Sequence, residues 1–257
     1  RSERGFCSSK RCKKYNGCFL GNIRKKVEDA DIIIINHSLL SNELMRDNSC
    51  LPDDFIYVID EAHHFATVIR DQLVTQVGVK TFDDVFIFFN PNHDDWKKNA
   101  LTKFPNILKL YNMLTEDSKI LRKEIQAFFT SYYDNKRDMV NKSEYHVNKL
   151  LYWDSQEEFI DTEPTPWEVL TQLTGFEKNI QKLSTLLQEN KEDIPASIFI
   201  EFTAIEGILK EGLKSLNAAL DTRSELVQWS SFIQSDYQNL TSLNSAPLKV
   251  NNFIYEN

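Results

Sequence analysis

The chain has 257 residues, of which 41% are hydrophobic and 26% are charged, and its formal net charge at pH 7 is −8. This composition is that of an ordinary globular protein, long enough for one large domain or two small ones. The sequence contains neither an apolar run long enough for a membrane helix nor a signal-peptide pattern at its start. Three of the four cysteines lie close together near the N-terminus, which argues against a secreted disulfide framework, so we expect a cytoplasmic protein without a membrane partner.

The charge is distributed unevenly along the chain. Residues 1–26 carry nine Lys or Arg and one Glu, a net charge of +8, so the remaining 231 residues carry −16. A basic segment at one end of an acidic chain is typical of a protein that contacts nucleic acid or another anion at that end. A solvated basic tail without a partner explains the pattern equally well.

The first element is a group of cysteines with the spacing Cys-x4-Cys-x5-Cys, formed by Cys7, Cys12 and Cys18. Thiolates so close in sequence favour an iron–sulfur cluster or zinc, although structural zinc sites use tighter pairs and need a second pair. Reduced thiols without a metal are an equal alternative. Cys50, the remaining cysteine, lies on a loop farther along the chain.

Two apolar segments follow, and each predicts a buried, parallel strand. The first covers 31–35 and precedes His37, and the second covers 55–59 and ends in Asp60-Glu61. Carboxylates after such a strand lie where open α/β sheets bind ligands. For His37 two interpretations stand together: a residue near a nucleotide or near the cysteines, or a histidine that hydrogen bonds with loop carbonyl groups.

The acidic pair suits phosphate chemistry, because one carboxylate can hold Mg²⁺ through its waters while the other orients the attacking water. The alternative is that Asp60 and Glu61 simply cap the following helix. His64 follows His63 directly and lacks the i, i+4 spacing of a zinc motif, so we expect His64 to be structural.

Helices are predicted on both sides of these strands and through most of the remaining chain. Apolar spacing indicates helices over 22–29, 39–45, 61–76, 107–151, 167–188 and from Pro195 onward. We interpret their apolar stripes as core and need no cofactor to explain them. Residues 82–89 are rich in Phe, and 226–233 with 239–243 predict two strands joined by a polar turn.

The sequence resembles the DinG/XPD family of superfamily-two DNA helicases in its cysteines and in three stretches. These stretches are A-D-I-I-I-I-N-H-S-L-L at 30–40, V-I-D-E-A-H-H at 58–64 and L-N-S-A-P-L at 243–248. The resemblance is strong over 6–66 and weaker over 226–250. The compact cysteine spacing is more similar to the bacterial DinG branch.

This resemblance implies a DEAH-box Walker-B element in a motor domain that binds ATP. In that arrangement Asp60 holds Mg²⁺ through water, Glu61 positions the hydrolytic water, and His63 couples the nucleotide site to other helicase motifs. It also implies a [4Fe–4S] cluster, with Cys7, Cys12 and Cys18 as three of its four ligands. The fourth ligand would precede Arg1, so we expect an incomplete set here and no native structure in 1–20.

DNA is the expected partner, as single strands and as forked duplexes. Basic side chains would bind phosphates and aromatic ones would stack on bases, although packing around the cluster explains the aromatic residues as well. The expected contacts are Lys10, Arg11, Lys13, Lys14, Tyr15, Arg24, Lys25 and Lys26.

The expected fold class is α+β: an α/β motor-domain fragment with parallel strands, joined to a large, mainly α-helical insert called the arch in this family. The expected parts are a partial cluster domain (1–22), a first motor segment (23–76), the insert (77–233) and a return to the motor domain (234–257). The phosphate-binding motif G-x-x-x-x-G-K-[ST] does not occur in the 257 residues, so we expect an internal piece of a DNA-repair helicase that is inactive alone.

Two other classes of function stay open. The first is a helical protein-interaction module whose acidic surface recruits a partner. The second is a metal- or redox-sensing module built on the three N-terminal cysteines.

Overall fold

The computed structural model describes residues 19–44, 51, 56–90, 95–140, 149–153, 155–222, 225–234 and 239–249. These residues divide into two compact units. The motif unit lies within Cys7–Val74 and also contains 246–249, and the helical unit lies within Thr75–Ser245. The four-part division expected from the sequence stays a prediction.

The described part of the motif unit contains three helices: α1 (Phe19–Glu28), α2 (His37–Leu44) and α3 (Ala62–Leu73). Helices α2 and α3 pack on each other through the buried side chains of Leu40, Phe65 and Ile69. Asn42 of α2 also donates its amide N–H to the Gln72 side chain of α3 at 3.0 Å. All three helices were predicted, but α3 ends three residues before the predicted end at residue 76.

The parallel strands predicted at 31–35 and 55–59 are not confirmed, because 31–36 and 56–59 adopt neither helix nor strand. Several of their apolar side chains face solvent: the exposed fraction is 93% for Ile34 and 92% for Val58. Ile35 and Ile59 are half-buried against the core between α2 and α3. A strand needs a neighbour to receive its backbone N–H and C=O groups. Within the described residues no strand lies beside either segment.

The helical unit begins with strand β1 (Thr75–Gly78) and a 3-10 turn, and contains most of the regular structure that is described. Its α-helices are α4 (Asp83–Phe88), α5 (Asp95–Leu101), α6 (Pro105–Val140), α7 (Pro166–Glu189) and α8 (Ala196–Leu220). Its other strands are β2 (Lys149–Trp153), β3 (Leu226–Gln234) and β4 (Asn239–Pro247), of which β4 extends past the unit by two residues.

The described strands form one sheet in the order β1-β4-β3-β2, in which β1 pairs antiparallel with β4 and β2 with β3. Val77 lies opposite Leu243, and Trp153 lies opposite Gln228. Strands β3 and β4 were predicted. In β1 and β2, residues 75–76 and 149–151 were predicted to end long helices, which was wrong because pairing with distant strands outweighs local helical spacing.

The core of the helical unit is aromatic, and the interpretation of its apolar stripes as core is confirmed. The Phe-rich segment supplies Phe88 and Phe89, whose rings meet Phe202 of α8 and Phe176 of α7 at centroid distances of 5.9 and 5.7 Å. Edge-to-face pairs at such distances are the favoured geometry for aromatic rings. Within the described residues no helix has both the length and the apolar character that a membrane crossing needs.

The start of α7 was predicted and is formed by a capping box. The hydroxyl of Thr165 accepts the backbone N–H of Glu168 at 3.3 Å, and the Glu168 carboxylate accepts the backbone N–H of Thr165 at 2.8 Å. The Thr165 hydroxyl also donates to the Glu168 carboxylate at 2.9 Å. The backbone N–H and the hydroxyl of Thr165, which both donate to the charged carboxylate, lower the pKa of Glu168 below its ordinary value of 4.5. Pro166 occupies the first helical turn, where its missing N–H costs nothing.

Two glycines of α8 should respond to alanine in opposite directions. A Cβ at Gly212 would collide with the buried ring of Phe82, whereas a Cβ at Gly207 meets no atom within 4 Å. Gly212→Ala should lower the free energy of unfolding by about 1 to 3 kcal/mol through overpacking. Gly207→Ala should raise it by about 0.5 to 1 kcal/mol through helix propensity. Urea unfolding of both variants measures the difference, and equal effects would contradict the packing described.

The capping box should give α7 a pH-dependent contribution. Thr165→Ala should cost about 1 kcal/mol at pH 7, and Thr165→Ser should restore most of it. Because the folded pKa of Glu168 lies below its unfolded value, its contribution is complete above the unfolded pKa and is lost as pH falls through the folded pKa. The stability difference between wild type and Thr165→Ala should therefore shrink below pH 4.5. A difference that stays constant down to the acid limit of folding would refute this role for Glu168.

Candidate functional site

The acidic pair lies in the turn between 56–59 and α3. The Asp60 side chain accepts the backbone N–H of Glu61 at 2.9 Å, and the Glu61 carbonyl accepts the N–H of His64 at 2.9 Å. Glu61 itself has φ 48° and ψ 44°, which is the left-handed region. This conformation costs a residue with a side chain about 1 to 2 kcal/mol and persists only where the surroundings fix it, often at functional sites.

The Glu61 side chain does not cap helix α3. Glu61 occupies the N-cap position of α3, but its side chain accepts no hydrogen bond from the helix backbone. Its carboxylate instead lies 3.3 Å from Nδ1 of His63, and both side chains are more than half exposed. The Glu61 carboxylate therefore remains accessible to a ligand, next to an imidazole.

His37 contacts the same turn from α2. Its Nε2 lies 2.8 Å from the carbonyl oxygen of Asp60, and its ring meets the ring of Phe65 edge-on at a centroid distance of 5.4 Å. Of the two interpretations of His37, the hydrogen bond with a loop carbonyl is confirmed. The contact is made across 23 residues of sequence, and it involves the backbone of the acidic pair.

Three side chains at the start of α3 bring possible metal ligands together. One ligand atom each of Glu61, His63 and His64 lies within 4.8 Å of the others, and all three residues are exposed. The His63 and His64 rings lie 4.0 Å apart between centroids. Mg²⁺ takes oxygen ligands and keeps several waters, so the carboxylates of Asp60 and Glu61 fit that ion better than the imidazoles do. The expectation that His64 is structural stays a prediction.

An apolar cleft of about 510 Å³ lies beside the acidic turn. The segments 31–35 and 56–60 line it, together with His37, Leu40 and Leu51. Because the lining includes the exposed isoleucines of both segments, the cleft is a space between two apolar stretches that no described residue fills.

Most of the other predicted site residues lie outside the described part of the chain. These are Cys7, Lys10, Arg11, Cys12, Lys13, Lys14, Tyr15 and Cys18, and Cys50 as well. On α1, Lys25 and Lys26 are exposed, and the Arg24 side chain is not described. A [4Fe–4S] cluster takes four thiolates, and the ligand role expected for Cys7, Cys12 and Cys18 stays a prediction.

Sequence reasoning missed two features of the turn. The left-handed conformation of Glu61 has no local signal, because glutamate is not a residue that favours positive φ. The partner of His37 was also missed, since only the packing of α2 on α3 brings residues 37 and 60 together. A histidine directly after the helix-capping Asn36 was the available hint that its side chain is fixed.

Comparison with known proteins concerns this same region. Residues 8–82 match the family model DEAD_2. The ATP-dependent DNA helicase DinG of Escherichia coli is 30% identical over 74 residues, which are 28% of this chain and 10% of that protein. DinG of Photobacterium profundum is 38% identical over 61 residues, which are 23% of this chain and 9% of that protein.

The matched stretch thus spans about a tenth of the length of these relatives. The resemblance to DinG helicases that the sequence indicated is confirmed over this stretch. Residues 8–82, which match DEAD_2, contain the acidic turn, His37 and the residues that line the apolar cleft.

The exposed isoleucines should contribute little to the stability of the 257-residue chain. Ile34 is 93% exposed, whereas Leu40, six residues later in helix α2, is 6% exposed. Ile34→Ser should change the free energy of unfolding by less than about 0.5 kcal/mol, whereas Leu40→Ala should cost about 3 kcal/mol. Urea unfolding followed through the amide signals of α3 measures both. A loss for Ile34→Ser as large as that for Leu40→Ala would show that 31–36 is buried in solution.

Proposed function

We propose that this chain is part of an ATP-dependent DNA helicase and that Asp60 and Glu61 serve ATP hydrolysis. The observation that carries the proposal is the acidic turn: two adjacent carboxylates, held at a fixed backbone geometry and open to a ligand, within the stretch that matches DEAD_2. The relatives found in the comparison are described as ATP-dependent DNA helicases.

The chemistry of phosphoryl transfer gives each residue a role. Catalysis in such sites consists mainly of positioning and charge neutralisation. Asp60 would hold Mg²⁺ through a water molecule, and the ion, when bound, neutralises charge on the β- and γ-phosphates. Glu61 would orient the attacking water and accept its proton. His63 lies 3.3 Å from the Glu61 carboxylate and would couple the nucleotide site to other helicase motifs.

The exposed apolar segments support a longer parent protein. We propose that 31–35 and 56–59 become strands of a parallel sheet when further strands lie beside them, with Asp60 after the carboxyl end of the Walker-B strand. This arrangement would bury Ile34 and Val58, which solvent surrounds here. The parent would also supply the phosphate-binding loop that is absent from these 257 residues.

DNA would bind at the basic N-terminal segment. Residues 1–26 have a net charge of +8 and include Lys10, Arg11, Lys13, Lys14, Arg24, Lys25 and Lys26 as phosphate partners, with Tyr15 for stacking. A [4Fe–4S] cluster on Cys7, Cys12, Cys18 and a further cysteine would organise this segment. The substrate would be single-stranded DNA beside a duplex fork, and the setting DNA repair. The helical unit would serve as the arch that frames the strand.

The test is ATP hydrolysis by the full-length parent, with and without single-stranded DNA. Glu61→Gln keeps the shape of the side chain but removes its charge, so kcat should fall by about 100-fold or more. His64→Gln is the matched control, since His64 is exposed and three residues away, and its kcat should stay within about twofold of wild type.

Turnover that DNA does not stimulate, or that Glu61→Gln leaves unchanged, would contradict the proposal. In that case partner capture by the helical unit, or metal-dependent folding through the cysteines, would become the better explanation of the chain.

A further inference from the structure

The peptide that joins Asp60 to Glu61 is held at both of its polar ends. Its N–H donates to Oδ1 of Asp60 at 2.9 Å, and its carbonyl oxygen accepts from Nε2 of His37 at 2.8 Å. A carbonyl oxygen can only accept, so Nε2 of His37 must carry a proton. Both hydrogen bonds have the length of well-formed interactions.

Three hydrogen bonds hold the turn, and they differ in origin. The bond between the Asp60 side chain and the N–H of Glu61, and the bond between the Glu61 carbonyl and the N–H of His64, are made within the turn itself. Among the described residues, His37 is the side chain from outside 60–64 that hydrogen bonds with this peptide. The left-handed Glu61 therefore depends on a contact from α2 for its external support.

His37 is well placed to give rigid support. It is the first residue of α2, and the side chain of Asn36 caps that helix by accepting the N–H of Leu39 at 2.8 Å. Its ring lies edge-on to Phe65, which is buried in the contact between α2 and α3. The donor atom is thus fixed by two packed helices rather than by a mobile loop.

We propose that His37 is a positioning residue for the hydrolytic step: it holds the Asp60 carbonyl and so keeps the Glu61 carboxylate aimed at the attacking water. This inference rests on the proposed function, because it gives His37 a role at the same site. Without the hydrogen bond, the Asp60–Glu61 peptide can flip, φ of Glu61 returns to negative values, and the carboxylate leaves its position. His37 itself touches neither ATP nor water in this account.

Two substitutions separate the hydrogen bond from the ring packing. His37→Gln places an amide N–H donor near the position of Nε2 but loses the ring. His37→Phe keeps a ring against Phe65 but has no donor. A role through hydrogen bonding predicts that Gln preserves function and Phe does not, and a role through packing alone predicts the reverse order.

The first measurement uses the 257-residue chain and needs no nucleotide. NMR reports a positive φ through a strong intraresidue NOE between the amide and α protons of Glu61. This signal should be present in wild type and in His37→Gln, and should be lost in His37→Phe. If His37→Phe retains it, His37 does not hold the turn and the proposal is overturned.

The second measurement uses the full-length parent at saturating single-stranded DNA. For His37→Phe, kcat should fall by about 10- to 100-fold, because small misplacements of a catalytic group have effects of that size. Its KM for ATP should change by less than about twofold, since the lost interaction acts only in the transition state. His37→Gln should keep kcat within about threefold of wild type and KM unchanged.

Equal losses of kcat in both variants, or a larger loss in His37→Gln, would overturn the proposal. The melting temperature of each variant is the control, because a value close to that of wild type excludes misfolding as the cause of a lower kcat. An inactive wild-type parent would instead refute the proposed function and, with it, the positioning role of His37 in hydrolysis. The NOE measurement would then still decide whether His37 holds the turn.

Discussion

A strand is stable only where another strand receives its backbone hydrogen bonds, and this constraint governs the motif unit. The segments 31–36 and 56–59 have the composition of buried strands, yet no described strand lies beside them, and Ile32, Ile34 and Ile56 are exposed. The small core between α2 and α3 still forms, because its side chains find partners within the unit. The acidic turn keeps its geometry through that core, to which His37 connects it.

In the helical unit, the described strands have neighbouring strands that receive their backbone hydrogen bonds. Its strands pair across as many as 170 residues of sequence, as between Thr75 and Ser245. Among the described lysines, Lys97 is buried. Its Nζ lies 2.6 Å from a carboxylate oxygen of Glu201 and 4.1 Å from the ring centroid of Phe88. Such a buried charge is tolerated because it is paired with both a carboxylate and an aromatic face. The described strands of the helical unit thus have pairing partners, whereas the apolar segments 31–35 and 56–59 have none among the described residues.

The sequence was informative where the determinants are local. The capped start of α7, the long apolar stripes of α7 and α8 and the strand pair β3–β4 could all be predicted. Strands β1 and β2 could not, since their partners lie far away in sequence and their own spacing is compatible with helix. The acidic pair was recognisable, but the left-handed Glu61 and the contact of His37 with Asp60 arise only from packing.

We propose that 31–35 and 56–59 become strands of a motor-domain sheet in a longer parent protein. Amide hydrogen exchange measures this directly, because exchange reports whether a backbone N–H is hydrogen bonded. In the 257-residue chain the amides of 32–35 and 56–59 should exchange rapidly, while those in the middle of α8 are protected. In the full-length parent both segments should become protected to a degree comparable with α8. Rapid exchange of both segments in the parent would contradict the account.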